Sequence, residues 1–241
     1  MEILSFDVYG DYGHFRKYYT TSSPLTFSTM PPTAVYGLLG AILGLTKENN
    51  QYLEEINSST TRIAIQLIRP VKKVHIGINH LNTKNHFWAP KSTNGARTQI
   101  RTEFLKSVGF RVYVQMSSDK LFTQLTEMVH AHQSVYTPCL GLSELIADVS
   151  FHQLQQGVLK SNPEWITTQT VLPISRIHEQ QIKIEAGLQI LKEKQPINMN
   201  TNREVLQYES LLFDSVGKPI TSMMKEYVEL SDSGEIIVFC N

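Results

Sequence analysis

GFRVYVQMSSDKLFTQLTEMVH, residues 109–130, decides the fold class. Phe110, Val112 and Val114 alternate with Arg111, Tyr113 and Gln115, the two-residue period of a strand with one apolar face. The period then changes. Ser117 or Ser118 caps a helix over residues 119–130, whose Leu121, Phe122, Leu125 and Val129 recur at helical spacing.

Working outward, residues 147–154 supply a further strand, and residues 61–69 and 71–78 supply strands on the other side, the second a continuation or neighbour of the first after Pro70. Residues 2–9 alternate and open the chain as a strand. Residues 10–30 form a long polar and aromatic loop. Pro31 and Pro32 then start a helix to about residue 45, well placed because a first-turn residue has no intrahelical use for its N–H. Gly37, Gly40 and Gly44 bare one face of that helix at nearly 1 kcal/mol each, so something must pack closely there.

The order strand, helix, strand, strand, helix, strand is the split βαβ of a ferredoxin-like sheet, an α+β domain over residues 1–157. Residues 79–98 lack a period and form a hairpin tip or loop between the second and third strands. Residues 158–241 read as a smaller β-rich region packed on the first domain, with runs at 165–174 and 235–239 punctuated by Pro163, Pro173, Pro196 and Pro219.

The charge distribution is uneven. Ten Lys or Arg residues and one acid, Glu103, fall between Arg62 and Arg111, so the formal net charge of zero hides a segment of +9 inside a remainder of −9. Such asymmetry points to a polyanion site on an otherwise acidic protein. Phe87, Trp88, Phe104 and Phe110 interleave with the charges, the mixture single-stranded nucleic acid favours. The alternative is a solvated basic hairpin.

Other classes are disfavoured. The apolar stretch at residues 34–45 is short of the roughly 20 residues a bilayer needs. The acidic, alternating N-terminus is unlike a signal peptide. Cys139 and Cys240 lack metal-ligand spacing and suit a reduced cytoplasmic setting. His130 and His132, two apart on a helix, diverge, so no metal site is expected. The three helix glycines have neither the P-loop lysine nor dinucleotide spacing, and no cofactor is expected.

Three stretches carry a resemblance: FDVYGDYGHFRK with PLTFSTMPPTAVYGLLGAILGL, then TQIRTEFLKSVGFRVYV, then HQSVYTPCLGLSELIADVSF. In this order, within the first 152 residues, they resemble CRISPR-associated protein family five, a RAMP-superfamily branch and a subunit of type I Cascade complexes. YTPCLGLSE, residues 136–144, is most similar to subtype I-B members. The resemblance implies an RRM-like domain carrying a long β-hairpin thumb, here at about residues 71–105. It also implies a role in holding the 5′ handle of the CRISPR RNA. The implied partners are that RNA, the Cascade backbone subunit, the large subunit and, through the complex, target DNA, with no membrane.

Holding an RNA end needs phosphate neutralisation, base contacts and a seat for the terminus. Lys84, Lys91, Arg97, Arg101 and Lys106 are the expected phosphate contacts within the thumb region, with Trp88 and Phe87 as wedges against bases or as a hydrophobic clasp. Arg16 and Lys17 suit phosphates, and Phe15 reads as core. Thr33 sits where the helix N-terminus offers free N–H groups. His14 is a structural histidine or a general base. GFRVYV resembles the RRM ribonucleoprotein motif at a few positions, but Phe110 and Tyr113 read as structural.

Two functions follow. The first is a non-catalytic RNA-binding subunit. The second is a metal-independent repeat endoribonuclease, as in subtype I-C relatives, for which His14, Tyr36 and Lys106 would be the candidates. An unrelated ferredoxin-like ligand-binding module is the third reading, set aside by the ordered three-stretch resemblance.

Overall fold

In a computed structural model the described residues are 1–81 and 97–241. The chain runs β1 (Glu2–Gly13), α1 (Pro32–Leu43), α2 (Tyr52–Glu55), β2 (Thr61–Leu67), β3 (Lys73–Leu81), β4 (Arg97–Met116), α3 (Asp119–His130) and β5 (Asp148–Lys160). It continues through β6 (Glu164–Thr168), β7 (Leu172–Pro173), β8 (Ile177–Lys183), β9 (Ile190–Met199), β10 (Val205–Asp214), β11 (Ile220–Met224), β12 (Tyr227–Leu230) and β13 (Ile236–Ile237).

Among the described residues the main sheet has seven strands in the order β13-β12-β5-β1-β4-β2, with β3 also on β4. Every pairing in it is antiparallel. β4 is the spine. Its second half pairs with β1 and with β2, from Thr61↔Met116 to Leu67↔Phe110. Its first half pairs with β3, from Lys73↔Leu105 to Leu81↔Arg97. β3 therefore continues the edge that β2 begins, carrying a hairpin past the rest of the sheet.

β4 starts twelve residues before the sequence reading placed it. The reason is a break in alternation at Ser107, whose φ is +54°. Leu105 and Val108 both enter the main core, which an unbroken strand would not allow. α3 matches its expected bounds. The Ser118 side chain accepts from Leu121 N, and Phe122, Leu125 and Val129 are buried. α1 ends two residues early, at Gly44 with φ +73°.

α1 and α3 pack side by side against one sheet face, over Leu4, Phe6, Val8, Val112 and Val114. α1 is apolar nearly all round and accordingly buried. The opposite face is covered as well. Ile3, Ala64 and Tyr113 are buried beneath Val228, Leu230, Ile237 and Phe239.

The region after residue 157 forms two three-stranded sheets, β7-β10-β9 and β6-β11-β8, while β12 and β13 extend the main sheet. The run expected at residues 165–174 divides into β6 and β7, and the run at 235–239 contracts to β13. The boundary expected after residue 157 falls inside β5, whose last residues pair with β12. No helix among the described residues is long and apolar enough to cross a membrane.

Candidate nucleic-acid interface

The segment expected to be a loop after β1 is partly paired. Arg16 bridges Thr26, Lys17 N donates to Leu25 O, and Phe27 N donates to Phe15 O. These bonds make a small hairpin whose tip carries Tyr18 and Tyr19, while Phe15, Phe27 and Met30 are buried at its base.

One acid anchors this hairpin. Glu103, the single acid of the basic window, accepts from Thr26 N at 3.1 Å. Its carboxylate also pairs with Lys73 Nζ at 3.2 Å and lies 3.8 Å from His75 Nε2. Its backbone takes part too. Glu103 N donates to Pro24 O, and its carbonyl accepts from His14 Nδ1 at 2.7 Å. A carbonyl only accepts, so Nδ1 carries a proton in this bond. The His14 ring is buried against Phe104, at 5.4 Å between centroids.

Beneath His14 runs the 136–144 segment. His14 N donates to Leu140 O at 2.9 Å. Gly141 has φ +96°, and a Cβ there would lie 1.9 Å from the His14 carbonyl oxygen. Only glycine fits that approach. Leu140 is fully buried, and the bonds Leu140 N to Leu145 O and Ala147 N to Pro138 O close the segment.

A second acid ties the hairpin to the C-terminal half. Glu193 on β9 pairs with Lys17 Nζ at 3.0 Å and accepts from Ser28 N and Ser28 Oγ. Burial works against the Lys17 charge, but the Glu193 carboxylate more than offsets it and holds the ammonium pKa above the ordinary lysine value. Tyr36 Oη donates to Ile197 O and accepts from Asn241 Nδ2. Its burial pushes the hydroxyl pKa well up.

These elements enclose an open groove of about 1020 Å3. Its walls are the 14–27 hairpin, α1 with Lys47 and Tyr52 beyond it, the 136–144 segment, the stem of the β3–β4 hairpin, and β9–β10. Arg16, Lys47, His80 and Arg203 line it and are exposed. Glu144 is the one carboxylate among its described lining residues. Arg16 Nη2 donates to the Thr20 and Thr21 carbonyls, and Arg203 Nε donates to Asn50 Oδ1 at 2.9 Å. Both guanidiniums are thus oriented while retaining N–H groups for a further acceptor.

The model of the family described as CRISPR-associated protein (Cas_Cas5) matches residues 3–157. The chain belongs to this family. The fold is similar over almost the whole length to a CRISPR protein from Archaeoglobus fulgidus, at 13% identity, TM-score 0.57 and 99% coverage of both chains. A chain of a CRISPR RNA-guided surveillance complex is similar at 9% identity and TM-score 0.56, covering 92% of this chain and 90% of that one. A chain of a type III-B Cmr-beta structure bound to cognate target RNA and AMPPnP is similar at 9% identity and TM-score 0.50, covering 92% and 86%. No curated protein matches the sequence.

In this member of the CRISPR-associated family, His14, Arg16 and Thr33 lie together on the groove. Lys17 is held by Glu193 instead of lining the groove. Arg97 and Arg101 are exposed on β4 but alternate with the groove-lining Ile100 and Thr102, so they occupy the reverse face of the hairpin. Lys106 is exposed beside Tyr12, outside the groove lining. Lys84, Phe87, Trp88 and Lys91 lie outside the described residues.

Three arginines of the basic window serve the fold. Arg111 pairs bidentately with Asp7, whose hydrogen bond raises the guanidinium pKa further. Arg69 lies over the Tyr9 ring and Arg62 over the Phe239 ring. Phe110 and Tyr113 are structural, as expected, and buried. Lys47, His80 and Arg203 were missed. Only Arg203 had a local signal, the Asn-rich turn NMNTNRE between two β-prone runs. Among the described residues no group of three or more His, Cys, Asp or Glu is placed to hold a metal ion.

Proposed function

We propose that this chain is a non-catalytic RNA-binding subunit of a type I Cascade complex, of the I-B kind, which holds the 5′ handle of the CRISPR RNA in this groove and caps the backbone filament. The observation that carries the reading is the groove itself, about 1020 Å3 in volume and lined by exposed Arg16, Lys47, His80 and Arg203 against one acid among the described residues. The order β5-β1-β4-β2 with α1 and α3 on one face supports the ferredoxin-like description, and the β3–β4 hairpin supports the thumb. Similarity to a chain of a CRISPR RNA-guided surveillance complex supports assembly into such a complex; in this reading the chain meets a backbone subunit and a large subunit in the cytoplasm and reaches target DNA through them.

A structural His14 is favoured by its burial, its Nδ1 bond to the Glu103 carbonyl and its packing on Phe104. A structural role explains each of those contacts.

Single-stranded RNA binding by the purified protein, measured across a salt series, tests the groove. Lys47→Ala and Arg203→Ala should each weaken binding and flatten the log–log salt slope by roughly 0.7 per lost phosphate contact. Unchanged slope and affinity in both would move the RNA path elsewhere. Incubation with the CRISPR repeat in chelator should leave the RNA intact on a denaturing gel. Site-specific cleavage abolished by His14→Ala would overturn the non-catalytic part.

A further inference from the structure

Tyr18 and Tyr19 sit at the tip of the 14–27 hairpin, 54% and 60% exposed. Single exposed aromatic residues are ordinary on soluble proteins. This pair differs in being braced. Tyr19 meets Tyr18 edge-on, with centroids 5.2 Å apart and an interplanar angle of 89°. Tyr208, from β10, meets Tyr18 at 4.9 Å and 53°. The Lys194 ammonium lies 5.4 Å from the Tyr208 centroid. Tyr18 is therefore an oriented ring with over half its surface uncovered, and it lines the groove together with Tyr208, Arg16 and Arg203.

Gly37 points the same way. A Cβ at Gly40 would press on the Tyr52 ring at 3.3 Å, and Gly44 caps the helix with φ +73°. Those two glycines serve the chain's own packing. At Gly37 a Cβ would meet nothing within 4 Å, and this residue also lines the groove. A glycine in mid-helix weakens the helix relative to alanine, and at Gly37 no internal contact explains it.

We propose that Tyr18 is a base-stacking platform for single-stranded RNA, braced by Tyr19 and Tyr208, and that Gly37 leaves room for the strand to lie close against α1. The proposal rests on the groove reading above and adds how bases are held there. A flat ring held in place stacks any base without paying to order the side chain, and the neighbouring Arg16 and Arg203 serve the phosphates. The recognition is sequence-tolerant and divides labour between the two halves of the chain.

An oligouridylate carrying 2-aminopurine substitutions is the probe, since stacking on an aromatic ring quenches 2-aminopurine. The full chain should bind it with quenching. Tyr18→Ala should weaken binding roughly 5- to 150-fold, abolish most of the quench and leave the salt slope unchanged, because stacking is lost and no phosphate contact is. Tyr18→Phe should retain both affinity and quench. Gly37→Ala should raise the melting temperature yet weaken binding, and Gly37→Leu should weaken it further. If the wild-type chain fails to bind, the groove reading falls and this proposal with it. If it binds but Tyr18→Ala keeps affinity and quench, or Gly37→Leu binds like wild type, the stacking platform is overturned and the groove reading stands.

Discussion

Glu103 shows how one residue organises the site. A lone acid among ten cations reads in the sequence as a defect in a basic patch. In the fold its carboxylate, largely buried, receives the Thr26 amide and the Lys73 ammonium, with His75 nearby, and its main chain holds Pro24 and His14. Lys73 is thereby committed to the hairpin base. Removing the carboxylate would leave the buried Thr26 N–H without its acceptor, a loss of about 1–3 kcal/mol. Glu103→Ala should lower the urea midpoint accordingly and Glu103→Gln by less, since the amide oxygen still accepts. An unchanged midpoint in Glu103→Ala would show that the hairpin is held from elsewhere. Lys17 with Glu193 follows the same logic from the other side of the hairpin. Charge alone could not separate these structural cations from Arg16, because what separates them is the position of acids distant in sequence.

At the scale of elements, α1 and β4 mark how far the sequence could be read. β1, β2, β3, β5, the second half of β4 and α3 were legible because alternation, a serine cap and a helical stripe are local signals. The first half of β4 was hidden by the irregularity at Ser107, which shifts which residues face inward and breaks the two-residue pattern. The glycines of α1 were legible as a group but not individually, since each answers to a different neighbour. Gly44 needs its left-handed backbone, and a Cβ there would also meet Val135 at 2.7 Å. Gly44→Ala should therefore destabilise by at least about 1–2 kcal/mol, the cost of the left-handed conformation alone. Thermal melts should show Gly44→Ala below wild type, the opposite direction to that expected for Gly37→Ala. Equal shifts in the same direction would mean the bare face is uniform after all.

At the scale of the whole molecule, the family match and the fold divide the chain differently. The match covers residues 3–157, yet the sheet face formed by Ile3, Ala64 and Tyr113 is buried by residues 228–239. The groove is likewise shared. Tyr208 and Arg203 come from the C-terminal half, and Glu193 fastens that half to the 14–27 hairpin. That a β-rich region packs on the first was legible, but which residues meet was not, because the pairings join segments over 100 residues apart, as in Tyr36 with Ile197. A fragment of residues 1–157 would cut β5 within the strand and uncover that apolar face. Exposed apolar area of this kind promotes association. The fragment should therefore aggregate or bind a hydrophobic dye strongly, whereas the full chain unfolds in one cooperative transition. A soluble, dye-silent fragment with a sharp melt would show instead that the N-terminal half folds alone, and that the C-terminal strands are an addition to the groove and not a condition of the fold.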